Sequence, residues 1–228
     1  MGVLVRFLAA LGMTTFVYET ALIMEIEAKY LVSAAELATV AALRALGPYT
    51  LVPAPEPELQ SNSYFDTADG RLAAARYGLR VRRIGERSLI TFKGPASIDD
   101  AGVHRRAEHE FPGADPSPAS WPPGDARELA LALTGGAALV PTVSVTTERH
   151  LLYAEYAGVA VAELCLDHGV LHGGEREQAF TELEIELLPG GTPADLAALA
   201  AELAHTISLT PEPRSKLQRA LALRTVPS

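Results

Sequence analysis

From Glu25 to Tyr30 the chain alternates: Glu25, Glu27 and Lys29 take every second position, with Ile26, Ala28 and Tyr30 between them. In a β-strand successive side chains point to opposite faces, so these three charges share one face. The alternation returns at Arg80/Arg82, at Arg106/Glu108/Glu110 and at Glu182/Glu184/Glu186. An ordinary half-buried sheet turns its polar face to solvent. Here acids in some strands are matched by bases in others, and the charged positions recur strand after strand. A closed barrel with a charged inner face accounts for both features. Such a barrel is a wet tunnel rather than a packed core.

The other elements follow from local signals. After a first strand near Met24–Val32, Ser33 and Glu36 form a capping box, and an Ala/Leu-rich helix runs from Ala34 to Leu46, stopped by Gly47-Pro48. Gln60–Phe65 reads as a strand, Asp69–Ala75 as a short helix, and Gly78–Ile84 with Arg87–Lys93 as a hairpin turning at Gly85-Glu86. Val103–Phe111 alternates again. Pro112–Gly124, rich in proline and holding Trp121, reads as a surface excursion in which the tryptophan is a loop anchor. A helix at Asp125–Leu133 ends at Gly135-Gly136. Strands are expected at Leu139–Thr147, Arg149–Tyr156, Val159–Asp167 and Phe180–Leu188, with a longer loop at Gly169–Glu177. Thr192-Pro193 opens a helix over Ala194–His205, and Ser215–Leu223 is the last helix. Strands with interspersed helices and no repeating βαβ unit predict an antiparallel α+β fold.

Composition narrows the setting. The chain has 228 residues, a length that fits one large β domain or two small ones, and no internal repeat or linker divides it; 48% hydrophobic and 21% charged residues are a globular composition. A net charge of −9 argues against a general nucleic-acid or membrane-surface binder, while leaving room for a local basic pocket. The single Cys165 cannot form an internal disulfide, so a reducing cytoplasm is the expected compartment and a small buried residue its expected role. Phe7–Met13 is apolar but too short to span a membrane. The domain is expected to occupy residues 24–228, with 1–23 an extension outside it.

The charged faces carry the chemistry. Carboxylates at i, i+2 on inward strands (Glu25/Glu27 and Glu182/Glu184/Glu186) offer clustered oxygen ligands to hard divalent cations such as Mg²⁺ or Mn²⁺. The plainer reading of either run is a solvated sheet face, but clustered like charges need counter-charges. Lys29, Arg80, Arg82, Lys93, Arg106 and Arg149 supply them, and arginine forks suit phosphate oxygens. Cations together with metal-binding acids describe a site for a substrate with several phosphates. No phosphate loop of the GxxxxGK[ST] type, no GxGxxG after a first strand, and no zinc spacing among the histidines competes with it.

Glu25-Ile26-Glu27-Ala28-Lys29 resembles the ExExK signature of the CYTH superfamily, the triphosphate tunnel metalloenzymes. Further matches follow in order: Tyr64-Phe65-Asp66-Thr67, Leu79-Arg80-Val81-Arg82, Thr91-Phe92-Lys93-Gly94, Arg106 to Glu110, Thr147-Glu148-Arg149, Val161–Gly169, Glu182–Glu186 and Ser215-Lys216. The resemblance implies an eight-stranded antiparallel β-barrel, the triphosphate tunnel, with flanking helices. By the same resemblance Arg80, Arg82, Lys93, Arg106, Arg149 and Lys216 hold phosphates, and Glu25, Glu27, Glu182 and Glu184 hold Mg²⁺ or Mn²⁺. Lys29 and Tyr64 resemble a pair that activates the attacking water. Glu108, Glu110, Asp167 and Glu186 are tunnel acids of undivided role.

The implied activity is metal-dependent hydrolysis of a triphosphate, first of all inorganic tripolyphosphate. The alternatives are a thiamine or nucleoside triphosphatase, a class IV-type adenylate cyclase, and a non-catalytic polyphosphate-binding module. The expected partner is a small triphosphate, with neither nucleic acid nor membrane, and the protein is expected as a monomer or homodimer.

Overall fold

The computed structural model describes residues 22–99 and 102–225; the expectation for residues 1–21 lies outside them. The strands are β1 (Leu22–Leu31), β2 (Ala45–Leu46), β3 (Tyr49–Pro53), β4 (Glu58–Thr67), β5 (Gly78–Ile84), β6 (Arg87–Lys93), β7 (Ser97–Ile98), β8 (Val103–Pro112), β9 (Leu139–Tyr156), β10 (Val159–Gly173), β11 (Arg176–Leu187) and β12 (Thr210–Pro211). The helices are α1 (Ala34–Ala42), α2 (Arg71–Ala74), α3 (Asp125–Thr134), α4 (Pro193–Ala204) and α5 (Lys216–Thr225).

Eight strands close a ring in the order β1, β8, β6, β5, β4, β9, β10, β11, every neighbour antiparallel, and β11 returns to β1. Register fixes what faces inward. Glu25 stands opposite Arg106, Lys29 opposite Glu184, Arg80 opposite Thr91, and Asp167 opposite both Arg149 and Glu182. With a side-chain period of two, each of these pairs carries its strand's whole charged set into the tunnel.

The apolar faces look outward and are covered. Ala28, Leu164, Leu166, Leu183 and Ile185 pack under Leu37 and Val40 of α1 and Leu196, Leu199 and Leu203 of α4. Both helices start as their caps dictate: the Ser33 hydroxyl accepts from the Glu36 N–H at 3.2 Å, and the Thr192 hydroxyl from the Asp195 N–H at 3.3 Å. Each buried leucine contributes about 2 kcal/mol by transfer from water. On the opposite side Leu79, Ile90, Phe92 and Phe111 pack under Trp121 and α3. Trp121 stands edge-on to Phe92 and Phe111, with ring centroids at 5.7 and 5.2 Å. It anchors the proline-rich excursion, as read from the sequence.

A third cluster lies inside the ring. Tyr64, Val143, Val145, Leu171 and Phe180 meet Ala220 of α5, so the last helix packs against the tunnel wall at one end. Gly173 permits the approach, because a Cβ there would stand 2.4 Å from the Ala220 carbonyl oxygen.

The structure differs from the sequence reading at several points. Helix α1 stops at Ala42 rather than Leu46, because Leu43 is already extended and Ala45–Pro53 forms the β2–β3 hairpin. The Gly47-Pro48 pair is therefore a hairpin turn, not a helix stop. Leu139–Tyr156 is one strand of 18 residues, since nothing at Glu148 breaks the alternation. The Gly169–Glu177 loop shrinks to a turn, with β10 reaching Gly173 and β11 starting at Arg176. Finally, β1 begins at Leu22, where Leu22 and Ile23 pair with His109 and Glu108.

Candidate functional site

The tunnel encloses a cavity of about 290 Å³. Every candidate residue read from the sequence lines it except Glu108, Glu110 and Glu182, which stand behind lining residues. Three groups of side chains divide the wall.

On β1, β8 and β6, Glu25 accepts from Lys93 at 2.6 Å and from Arg106 Nε. Arg106 Nη2 donates to Glu27 at 2.9 Å, and Lys93 lies 3.0 Å from Glu108. Lys29 Nζ is 3.7 Å from Glu27. Burial alone would raise both glutamates. Lys93 and Arg106 override it at Glu25 and hold its carboxyl well below the usual range. Glu27 stays raised by burial and by the like charge of Glu25.

On β9, β10 and β11, Arg149 meets Asp167 through two bonds of 2.7 Å and also reaches Glu184 at 2.5 Å. The Lys216 ammonium enters from α5 and contacts Glu182, Glu184 at 2.8 Å and Asp167 at 2.9 Å. Arg219 adds a bond to Glu182 at 2.6 Å. Burial pushes Glu182 up to about 7, whereas Lys216 and Arg149 overcome burial at Glu184 and keep it ionised.

On β4, β5 and β6, Arg80 donates to Thr91 at 2.9 Å, which in turn donates to Glu110 at 2.9 Å. Arg82 donates to Asn62 at 2.9 Å. Lys29 and Tyr64 reach the cavity from β1 and β4, four places apart in a ring of eight and therefore on opposite walls. No hydrogen bond among the described residues joins them.

The donor set fits a hard divalent cation. Asp167, Glu182 and Glu184 are buried, and each offers an oxygen, all within 4.8 Å of one another. Glu186 instead groups with Glu163 and Cys165. The wall also carries unmet bonding capacity: Arg80 Nε and Thr147 Oγ1 are buried with no partner among the described residues. A guanidinium and a hydroxyl, both able to donate to phosphate oxygen, thus have bonding capacity to spare on residues of the cavity wall.

Sequence reading assigned no role to Asn62, Thr147, His104 and Arg219, all buried and all but Arg219 on the cavity wall. The signal was available: Asn62, Thr147 and His104 each stand two residues before a recognised tunnel residue, and Arg219 follows Lys216 by one helical turn. Burial, helped by Lys29 and Arg106, drives the His104 imidazole down to about 4, so it is neutral at neutral pH.

An antiparallel ring with helices outside and paired acids and bases within defines a β-tunnel protein. The profile of the CYTH domain family matches residues 24–221, and the chain belongs to that family. It is 28% identical over 132 residues to the inorganic triphosphatase of Haemophilus influenzae, which covers 57% of this chain. The chain spans only 36% of the length of that curated relative. Among solved structures, a proposed adenylate cyclase from Bacillus halodurans superposes with a TM-score of 0.60 at 23% identity, covering 86% of this chain and 96% of that one. The HpAC1 protein of Hippeastrum, a proposed adenylyl cyclase described as having a dominant triphosphatase activity, gives 0.61 at 21% identity, covering 90% and 98%. At these identities the likeness establishes the fold. No helix among the described residues is long and apolar enough to cross a membrane.

Proposed function

We propose that this chain is a divalent-metal-dependent triphosphatase that takes the phosphate tail of its substrate into the tunnel, with inorganic tripolyphosphate as its first substrate. The observation that carries the reading is the pair of buried, unpartnered donors, Arg80 Nε and Thr147 Oγ1, in a cavity lined by further cations. The activities named for the Haemophilus influenzae relative and the Hippeastrum protein support it.

In this reading Arg80, Arg82, Lys93, Arg106, Arg149 and Lys216 bind phosphate oxygens, exchanging present carboxylate partners for the ligand. Glu182 and Glu184 hold the metal, joined by Asp167 and faced by Glu25 and Glu27. The ion, Mg²⁺ or Mn²⁺, supplies charge neutralisation at the phosphoryl group. Lys29 and Tyr64 orient the attacking water from opposite walls. Glu108, Glu110 and Glu186 balance charge around the cations. The folded unit is proposed to begin near Met24 and to work in the cytoplasm as a monomer or homodimer.

A second reading, a triphosphate carrying an organic group, is favoured by the apolar side chains of Tyr77, Ile98, Leu217 and Leu221 on the same cavity. Phosphate release from tripolyphosphate, thiamine triphosphate and ATP, each with Mg²⁺, with Mn²⁺ and with chelator, separates the two. Metal-dependent release from tripolyphosphate alone supports the first. Binding of triphosphates with no turnover of any would make the tunnel a binding module, and cyclic AMP from ATP would make it a cyclase. Lys29→Ala is expected to abolish turnover while triphosphate still binds.

A further inference from the structure

A second cluster on the tunnel wall differs in chemistry from the all-oxygen group. Glu163, Cys165 and Glu186 bring two carboxylate oxygens and one sulfur within 4.8 Å of one another. Glu163 and Glu186 are direct partners across the β10–β11 ladder, and Cys165 follows Glu163 on the same face. Like charges placed directly opposite destabilise a strand pair.

The second observation is Glu163 itself. Its side chain is 7% exposed, and it makes no hydrogen bond or ion pair among the described residues. Other tunnel acids are answered: Glu25 by Lys93 and Arg106, Glu182 by Lys216 and Arg219, Asp167 by Arg149. A cation beside Glu163 would supply the counter-charge that lysine and arginine give the other tunnel acids.

We propose that Glu163, Cys165 and Glu186 form a binding site for a thiophilic divalent cation, of which Zn²⁺ is the type, separate from the hard-cation cluster at Asp167, Glu182 and Glu184. A thiolate with two carboxylates gives zinc three protein donors and leaves a fourth position for water. The sulfur selects against Mg²⁺ and Mn²⁺, which prefer oxygen throughout. Access runs through the tunnel, because Glu186 lies on the cavity wall. Binding replaces the S–H bond by an S–metal bond and releases one proton to solvent.

The test is a Co²⁺ titration of the whole chain under reducing conditions, followed by the thiolate-to-cobalt absorption in the near ultraviolet. Cys165 is the only cysteine, so that band reports this site alone. The expected result is a band that saturates at one equivalent, is abolished by Zn²⁺ and survives a large excess of Mg²⁺. The isosteric Glu163→Gln is expected to weaken Co²⁺ binding at least about tenfold, with its fold checked by circular dichroism. Absence of the band, its loss to Mg²⁺, or unchanged Co²⁺ affinity in Glu163→Gln would overturn the proposal.

Discussion

Arg149 and Asp167 stand directly opposite one another in the β9–β10 ladder and join through two parallel bonds of 2.7 Å, both side chains buried. Removing Arg149 leaves two buried carboxylates, Asp167 and Glu184, with Lys216 as their one close counter-charge among the described residues. Arg149→Ala is expected to destabilise the fold by about 3–5 kcal/mol in chemical denaturation. Arg149→Met with Asp167→Asn should recover part of that loss, and a double mutant no more stable than Arg149→Ala would contradict the account.

The Lys216 ammonium sits among the carboxylates that fit a divalent cation, so lysine and metal compete for the same oxygens. Lys216→Met should lower the melting temperature in chelator. Added Mn²⁺ should then raise it by more than in the unmodified protein. Equal responses would separate Lys216 from the metal cluster.

Two histidines make stability depend on acidity. Burial lowers His104 from 6.5 to about 4 and lowers His109 as well. A base whose folded pKa is depressed contributes stability that is complete above its unfolded value. That stability is lost as pH falls from about 6.5 towards 4. The full shift corresponds to about 3 kcal/mol, of which solvent screening leaves on the order of 2 kcal/mol as the expected loss from His104, read from denaturation midpoints across that range. Replacing His104 with Gln should flatten the dependence.

Gly169 faces the tunnel where a Cβ would stand 2.1 Å from the Thr146 carbonyl oxygen and 3.0 Å from the Phe180 ring. Gly169→Ala must push β9 away from β10, and a loss of at least about 2 kcal/mol is expected. Gly158→Ala is a useful comparison: no atom crowds that position, so its cost should be confined to the strain of its positive φ of 79°.

Much of this architecture could be read from period-two charge. Glu25, Arg80, Arg106 and Glu182 announce inward faces because charges at alternate positions in several strands need one another. Thr147 and Asn62 carry no charge, so alternation alone did not mark them. The β2–β3 hairpin was hidden because Ala45 and Leu46 continue a helical composition, and only pairing of Tyr49–Pro53 with the neighbouring sheet decides the matter. Which acids cluster was equally hidden. Glu182, Glu184 and Glu186 share a face, and it takes the β10 partner to assign two of them to Asp167 and the third to Glu163.

Ring closure has a consequence for how the chain reaches this state. β1 pairs with β11, so Lys29 meets Glu184 only after most of the sequence is available. Contacts of such long separation are slow to form, because the intervening chain must be ordered first. Until then the charged inner face of β1 is at ease in water, and the apolar outer face is the part at risk of sticking. α1 follows β1 directly and packs Leu37 and Val40 towards that face. The N-terminal strand can therefore be shielded by its own neighbour while it waits for partners that lie far along the chain.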